Sequence, residues 1–137
     1  EIYTLSLHDA LPIWSANVEN MQLMFKGASS FDQPIGDWKT EKVTDMRSMF
    51  EGASKFNQEI GSWKTNKVTM MQFMFKKAAA FDQNLEGWKF DGPVSLNDIF
   101  RDSGLTKDNY CAVVKENPWE MYHRRGMLGK HFACFSP

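Results

Sequence analysis

FEGASKFNQEIGSW at residues 50–63 decides how this chain is read, because it has two near-copies: FKGASSFDQPIGDW at 25–38 and FKKAAAFDQNLEGW at 75–88. The register is strict. Phe25, Phe50, Phe75 and Phe100 keep a constant step, as do Phe31, Phe56 and Phe81, then Trp38, Trp63 and Trp88, and Val18, Val43 and Val68. Self-similarity at a period of 20–50 residues marks a solenoid, a propeller or an array. The period here is too short for a propeller blade, so a solenoid of short coils is expected. One coil cannot bury its own apolar face, and stability has to come from neighbours. The letters that persist are those expected to touch the next coil.

Within a unit, Val43, Met46, Met49, Phe50 and Ala53 recur at offsets of three and four, the face of an amphipathic helix. Thr44 stands where an N-cap belongs, and Asp45 follows in the first turn. Gly52 is placed to end the helix after about two turns. Lys77 replaces that glycine in the third copy. Phe56, Ile60 and Trp63 also have helical offsets, but Pro34 at the position of Glu59, and Gly36 and Gly61, argue against a continued helix. A short extended segment at 58–62, paired with its counterparts in a narrow parallel sheet, is expected instead. A loop at 64–67 then leads to the next helix.

Charge and composition exclude several classes. Sixteen Lys and Arg stand against 17 Asp and Glu, so no global field argues for nucleic acid or an acidic substrate. An aromatic share of 14%, with nine methionines, is too much buriable surface for a disordered chain. No apolar run approaches the roughly 18 residues of a membrane span. Cys111 and Cys134 both lie beyond the copies; they can pair in an oxidising compartment, but two thiols without a framework leave the question open.

The pattern in VTDMRSMFEGASKFNQEIGSW (43–63) resembles BspA-like leucine-rich-repeat surface proteins, and more narrowly a branch first noted as a domain of unknown function in mycoplasma surface lipoproteins. The resemblance covers residues 17–100. It extends into SGLTKDNYCAVV (103–114), which is similar to that family's closing helix, with Gly104, Leu105, Asn109 and Tyr110 at the matching positions. It implies an α/β, leucine-rich-repeat-like solenoid with one short parallel strand and one short helix per coil. It also implies a cell-surface or extracellular location and a recognition or adhesion role. It brings no catalytic residues and no cofactor. The expected organisation is a leader at 1–14, about four coils at 15–105, a capping helix at 106–116 and a tail at 117–137. YTLSLHDALPI (3–13) resembles translated sequencing adapter, so residues 1–13 are expected to be non-native and the chain a fragment.

The candidate binding residues are Trp38, Trp63 and Trp88 with Lys39, Lys64 and Lys89. An exposed tryptophan column would suit a sugar or a peptide. Because the tryptophans repeat as rigorously as the phenylalanines, packing between coils is the favoured reading. Lysines stacked at about 4.8 Å repel by about 0.9 kcal/mol per pair in bulk water. Such a column suits an anionic partner, or a solvated edge softened by Asp37 and Glu41, which is preferred. Asp32-Gln33, Asn57-Gln58 and Asp82-Gln83 are expected to hydrogen-bond turn backbone rather than to hold calcium, since Asn57 interrupts the carboxylates. His123, His131 and Cys134 match no strong zinc spacing, so no metal is expected. HRRGMLGKH (123–131) is a small basic cluster, read as solvated. No nucleophile is paired with a base and no glycine loop suits phosphate, so an enzyme is not expected. The expectation is a monomeric recognition module for a protein or glycan, with a spacer repeat as its alternative. Exposed, contiguous tryptophans or lysines would favour recognition; buried tryptophans under a mixed polar surface would favour the spacer.

Overall fold

The computed structural model describes residues 15–135. The expected leader at 1–14, including the adapter-like stretch, lies outside the described residues. Four copies of the 25-residue unit stack in register. Met21, Leu23, Phe25 and Gly27 donate their backbone N–H groups to the carbonyls of Asp45, Arg47, Met49 and Glu51. The set recurs one unit on, from Met46, Ser48, Phe50 and Gly52 to Met70, Gln72, Met74 and Lys76, and again from Met71, Phe73, Phe75 and Lys77 to Ser95, Asn97, Ile99 and Arg101. All twelve distances fall between 2.8 and 3.1 Å.

The segment expected as a helix is a run of turns. Met49 N–H reaches Met46 O, Glu51 N–H reaches Ser48 O, and Ala53 N–H reaches Phe50 O. Backbone φ is positive at Leu23, Ser48, Phe73 and Asp98, and again at Gly27, Gly52, Lys77 and Asp102. A positive φ at the third residue of a turn belongs to the type II geometry and stops a right-handed helix from propagating. Alternate N–H groups are thereby released to the neighbouring unit. Turns that advance about three residues at a time also bring Val43, Met46, Met49, Phe50 and Ala53 to one side, and all five are fully buried. Helical offsets therefore arose without a helix.

The α/β leucine-rich-repeat-like solenoid is thus corrected. Among the described residues no unit holds an α-helix, and no sheet forms. Parallel pairing is limited to isolated bridges, Asn20 to Asp45 to Met70 to Ser95, because the chain turns away before a second pair can form. These bridges lie in the expected helix, not at 58–62. Residues 56–60 carry no regular secondary structure.

Aromatic rings fill the space between units. Centroids of Phe25, Phe50, Phe75 and Phe100 lie 5.6, 5.7 and 6.0 Å apart in sequence, and Phe31, Phe56 and Phe81 stack beside them at 5.8 and 6.0 Å. Each such pair contributes about 0.5–1.5 kcal/mol beyond its buried area.

Beyond the last unit the grammar changes. Helix α1 (Lys107–Val114) buries Tyr110, Val113 and Val114, and helix α2 (Trp119–Arg124) buries Trp119 and His123. Trp119 stacks on Phe100 at 5.8 Å, so the two helices close the aromatic column. Residues 126–135 then return across this end. Asp98 and Phe100 donate to Met127 O and Leu128 O at 2.7 and 2.9 Å, which replaces the rung that a fifth unit would supply. A disulfide joins Cys111 of α1 to Cys134, answering the open question about the two thiols. No described helix is long and apolar enough to cross a membrane.

Candidate functional site

Trp38, Trp63 and Trp88 form one column, with centroids 6.3 and 6.5 Å apart and nearly parallel planes. They are 7%, 2% and 1% exposed. Trp63 Nε1 donates to Ile35 O at 3.0 Å and Trp88 Nε1 to Ile60 O at 2.9 Å, each reaching back one unit. As candidate binding residues the three tryptophans are corrected: all three are buried with their faces stacked on one another, and the polar edges of Trp63 and Trp88 are spent on the backbone. An indole with its N–H satisfied internally has nothing left to present to a sugar.

Lys39, Lys64 and Lys89 do stand in solvent. Their backbones are held by a second column that the sequence reading overlooked. Ser15 Oγ accepts from Lys39 N–H at 2.8 Å, and Thr40 Oγ1 accepts from Lys64 N–H at 2.9 Å. Thr40 and Thr65 donate in turn to Lys64 O and Lys89 O. Both threonines are buried, and the hydroxyl one residue after Lys39 and again after Lys64 is the signal that would have found them. Lys89 is paired with Glu116 at 2.9 Å. A shallow open depression between Lys39 and Lys64 is also lined by Asp37, Glu41 and Ser62, so acids stand among the cations.

The Asp/Asn-Gln pairs build a third column, and it bonds side chain to neighbour rather than to its own turn. Asp32 Oδ1 accepts from Asn57 N–H at 3.0 Å and Gln58 Nε2 at 2.8 Å; Asn57 Oδ1 does the same for Asp82 N–H and Gln83 Nε2, both at 2.9 Å. Asp82 Oδ1 then meets α1, accepting from Thr106 N–H, Thr106 Oγ1 and Asn109 Nδ2, all at 2.9 Å. Asn109 stands in for the glutamine of a next unit, and the Thr106 hydroxyl serves Asp82 rather than the helix it precedes. Burial would raise the Asp82 pKa, but these bonds and nearby Lys130 outweigh it and hold the carboxyl below its ordinary value. Asp45 is likewise held low: burial opposes, but Arg47 grips both carboxylate oxygens at 2.7–3.1 Å.

In the tail, Cys134 is bound in the disulfide and has no thiolate to offer zinc. His123 and His131 stack face to face at 4.3 Å, and Tyr110 Oη lies 3.0 Å from His123 Nδ1. Burial pushes the Tyr110 hydroxyl pKa up. The spacing of the two histidines carried no hint of this stack, since the turn at 125–128 folds them together.

The comparisons with known proteins give one result. A family model described as "Mycoplasma protein of unknown function, DUF285" matches residues 6–112. The chain belongs to this family. The match ends within α1, so α2 and the tail lie beyond it. No curated protein and no solved structure matches the DUF285 chain.

Proposed function

We propose that this DUF285 chain is a non-catalytic structural repeat, a stiff spacer that holds what flanks it at a set distance on the outside of a cell. The observation that carries the reading is the buried tryptophan column. The letters that repeat most strictly are consumed by unit-to-unit contact. Many exposed positions drift instead: Asp37, Ser62 and Gly87 share a register, as do Glu41, Asn66 and Asp91. A surface that changes from unit to unit suits spacing better than recognition of a repeated ligand. The kinship with BspA-like surface proteins suggested by the repeat wording belongs to this proposal, as does the external location.

Duplicating residues 50–74 tests it. A spacer lengthens by about 4.8 Å per added unit and gains stability. Small-angle scattering and urea unfolding read both effects; an unchanged long dimension or a less stable chain removes the proposal.

A second reading, recognition of an anionic protein or glycan, is favoured by the exposed pair Lys39 and Lys64. Glycan and matrix-protein arrays probed at physiological salt with the wild type and with Lys39→Glu/Lys64→Glu separate the two. Capture lost in the variant establishes recognition; no capture by either protein leaves the spacer.

A further inference from the structure

We propose that residues 126–135 form a tethered cap whose seating on the last repeat unit is governed by protonation of His123, the ring stacked between α2 and the cap. The cap has a defined seat. Its Met127 and Leu128 carbonyls take the N–H groups of Asp98 and Phe100, and Leu128 is fully buried. Tyr110 Oη donates to Lys130 O, Lys130 Nζ donates to Ser103 O, and Phe132 packs edge-on to Tyr110 at 5.3 Å. Gly129 lies so close to Asp98 and Arg101 that a Cβ there would meet their atoms at 2.8 and 2.7 Å.

The histidine pair sits at the joint between this seat and α2. His123 comes from the helix and His131 from the cap, so the 4.3 Å stack is itself a contact between the two parts. Phe135 closes on His123 at 5.6 Å, and Arg124 lies over the Phe135 ring. The groups facing His123 are Tyr110 from α1, Glu120 and Arg124 on its own helix, and His131 from the cap. Lys130 lies next to His131 in the chain, and Asp98 and Arg101 face the cap at Gly129. Only Glu120 favours a charged ring. Burial first, then His131 and Arg124, hold the His123 pKa below its ordinary value of 6.5. A positive charge on this ring is opposed by its burial and by the cationic Arg124 beside it.

The direction of the effect follows. The closed cap prefers neutral His123, while a lifted cap returns the ring to water and to an ordinary pKa. Above 6.5 both states hold the neutral ring and the cap stays seated. As pH falls below that value, the lifted state takes up a proton that the closed state refuses, until the closed-state pKa is passed. The Cys111–Cys134 disulfide keeps the lifted segment attached to α1, so the change reverses when pH is restored.

Amide hydrogen exchange on the intact chain tests the proposal, with protection factors compared between pH 8 and pH 5. The amides of Asp98 and Phe100 should lose protection by up to about tenfold per pH unit below the ordinary histidine value, while those of Ser48 and Phe50 hold. His123→Gln, whose side-chain amide retains a donor for the Tyr110 oxygen, should flatten the dependence. Equal protection of Asp98 and Phe100 across the range, or an undiminished slope in His123→Gln, overturns the proposal. If that variant does not fold, ring titration of wild-type His123 decides: a midpoint matching the loss of protection supports the cap, and a ring that titrates at its ordinary value with both amides still protected overturns it.

Discussion

Phe50 and Phe100 occupy the same register position, yet they are closed off by different means. The N–H of Phe50 meets Met74 O of the next unit, and its ring faces Phe75 at 5.7 Å. The N–H of Phe100 meets Leu128 O from a returning tail, and its ring faces Trp119 at 5.8 Å and the edge of Tyr110 at 6.2 Å. One junction is made by repeating a phrase; the other by two short helices, a disulfide and a strap. A stack propagates as long as the phrase is repeated, but stopping it requires side chains that satisfy one face and offer none of their own. The cap does so with non-repeating parts because it has no following unit to match.

The sharpest way to break the stack is at its centre. Phe56 is fully buried and stacks on Phe50 at 4.0 Å, with Phe31 and Phe81 on either side. Phe56→Ala should cost about 3–5 kcal/mol, measured by urea unfolding. Phe31→Ala removes the same ring from the first described unit, where it is only partly buried, and should cost less than half as much. Equal losses would mean that neighbours contribute little, against the stack as the source of stability.

The next test addresses the cap. The Cys111–Cys134 bond closes a loop of 23 residues. Replacing both cysteines with alanine should cost about 3 kcal/mol on a chain-entropy argument. The loss should fall on the cap: exchange of the Asp98 and Phe100 amides should rise while Ser48 and Phe50 change less. Uniform loss would show that cap and stack unfold as one.

Legibility followed the same division. Repetition made the unit boundaries, the buried phenylalanines and the buried valines and methionines readable, because a position that recurs reports a shared neighbour. Local conformation was not readable. The offsets of Val43, Met46, Met49 and Phe50 fit a helix and a run of three-residue turns equally well, and the difference lies in the sign of φ at Ser48 and Gly52. Gly52 hinted at this, but Ser48 did not, and Lys77 with φ of 60° hid the requirement further. The tryptophans stood as candidate binding residues beside the favoured packing reading because periodicity reports contact without saying whether the other side is protein or solvent. Only the Nε1 bonds to Ile35 and Ile60 decide that. The histidine pair was unreadable for the opposite reason: it occurs once, across a turn, with nothing to compare.

A smaller effect tests how closely units approach the cap. A Cβ on Gly104 would lie 2.2 Å from Ala79 O, a backbone atom that cannot step aside. Gly104→Ala should therefore cost about 1–3 kcal/mol. Gly92 meets nothing within 4 Å, so Gly92→Ala should change stability by less than about 1 kcal/mol, in the stabilising direction. Thermal unfolding of the two variants compares a tight junction with a loose one, and a cost at Gly92 as large as at Gly104 would remove close approach as the cause.

The smallest expected effect lies where stack and cap meet. Asp82 uses one carboxylate oxygen for all three of its α1 contacts, and Asn57 does the same work one unit earlier with an amide oxygen. Asp82→Asn keeps an acceptor of the same shape, so stability at pH 7 should fall by less than about 1 kcal/mol, the difference between a charged and a neutral acceptor. The pH response is the more telling measurement. Because the folded-state pKa of Asp82 lies below its ordinary value, its contribution is present above that value and is lost as pH falls through the folded pKa. Urea midpoints taken between pH 7 and pH 2.5 should therefore converge for wild type and Asp82→Asn as acid neutralises the carboxylate. If the gap stays constant to pH 2.5, the charge contributes nothing, and the cap is held to the stack at Asp82 by shape and neutral hydrogen bonds alone, as Asn57 already holds the unit after it.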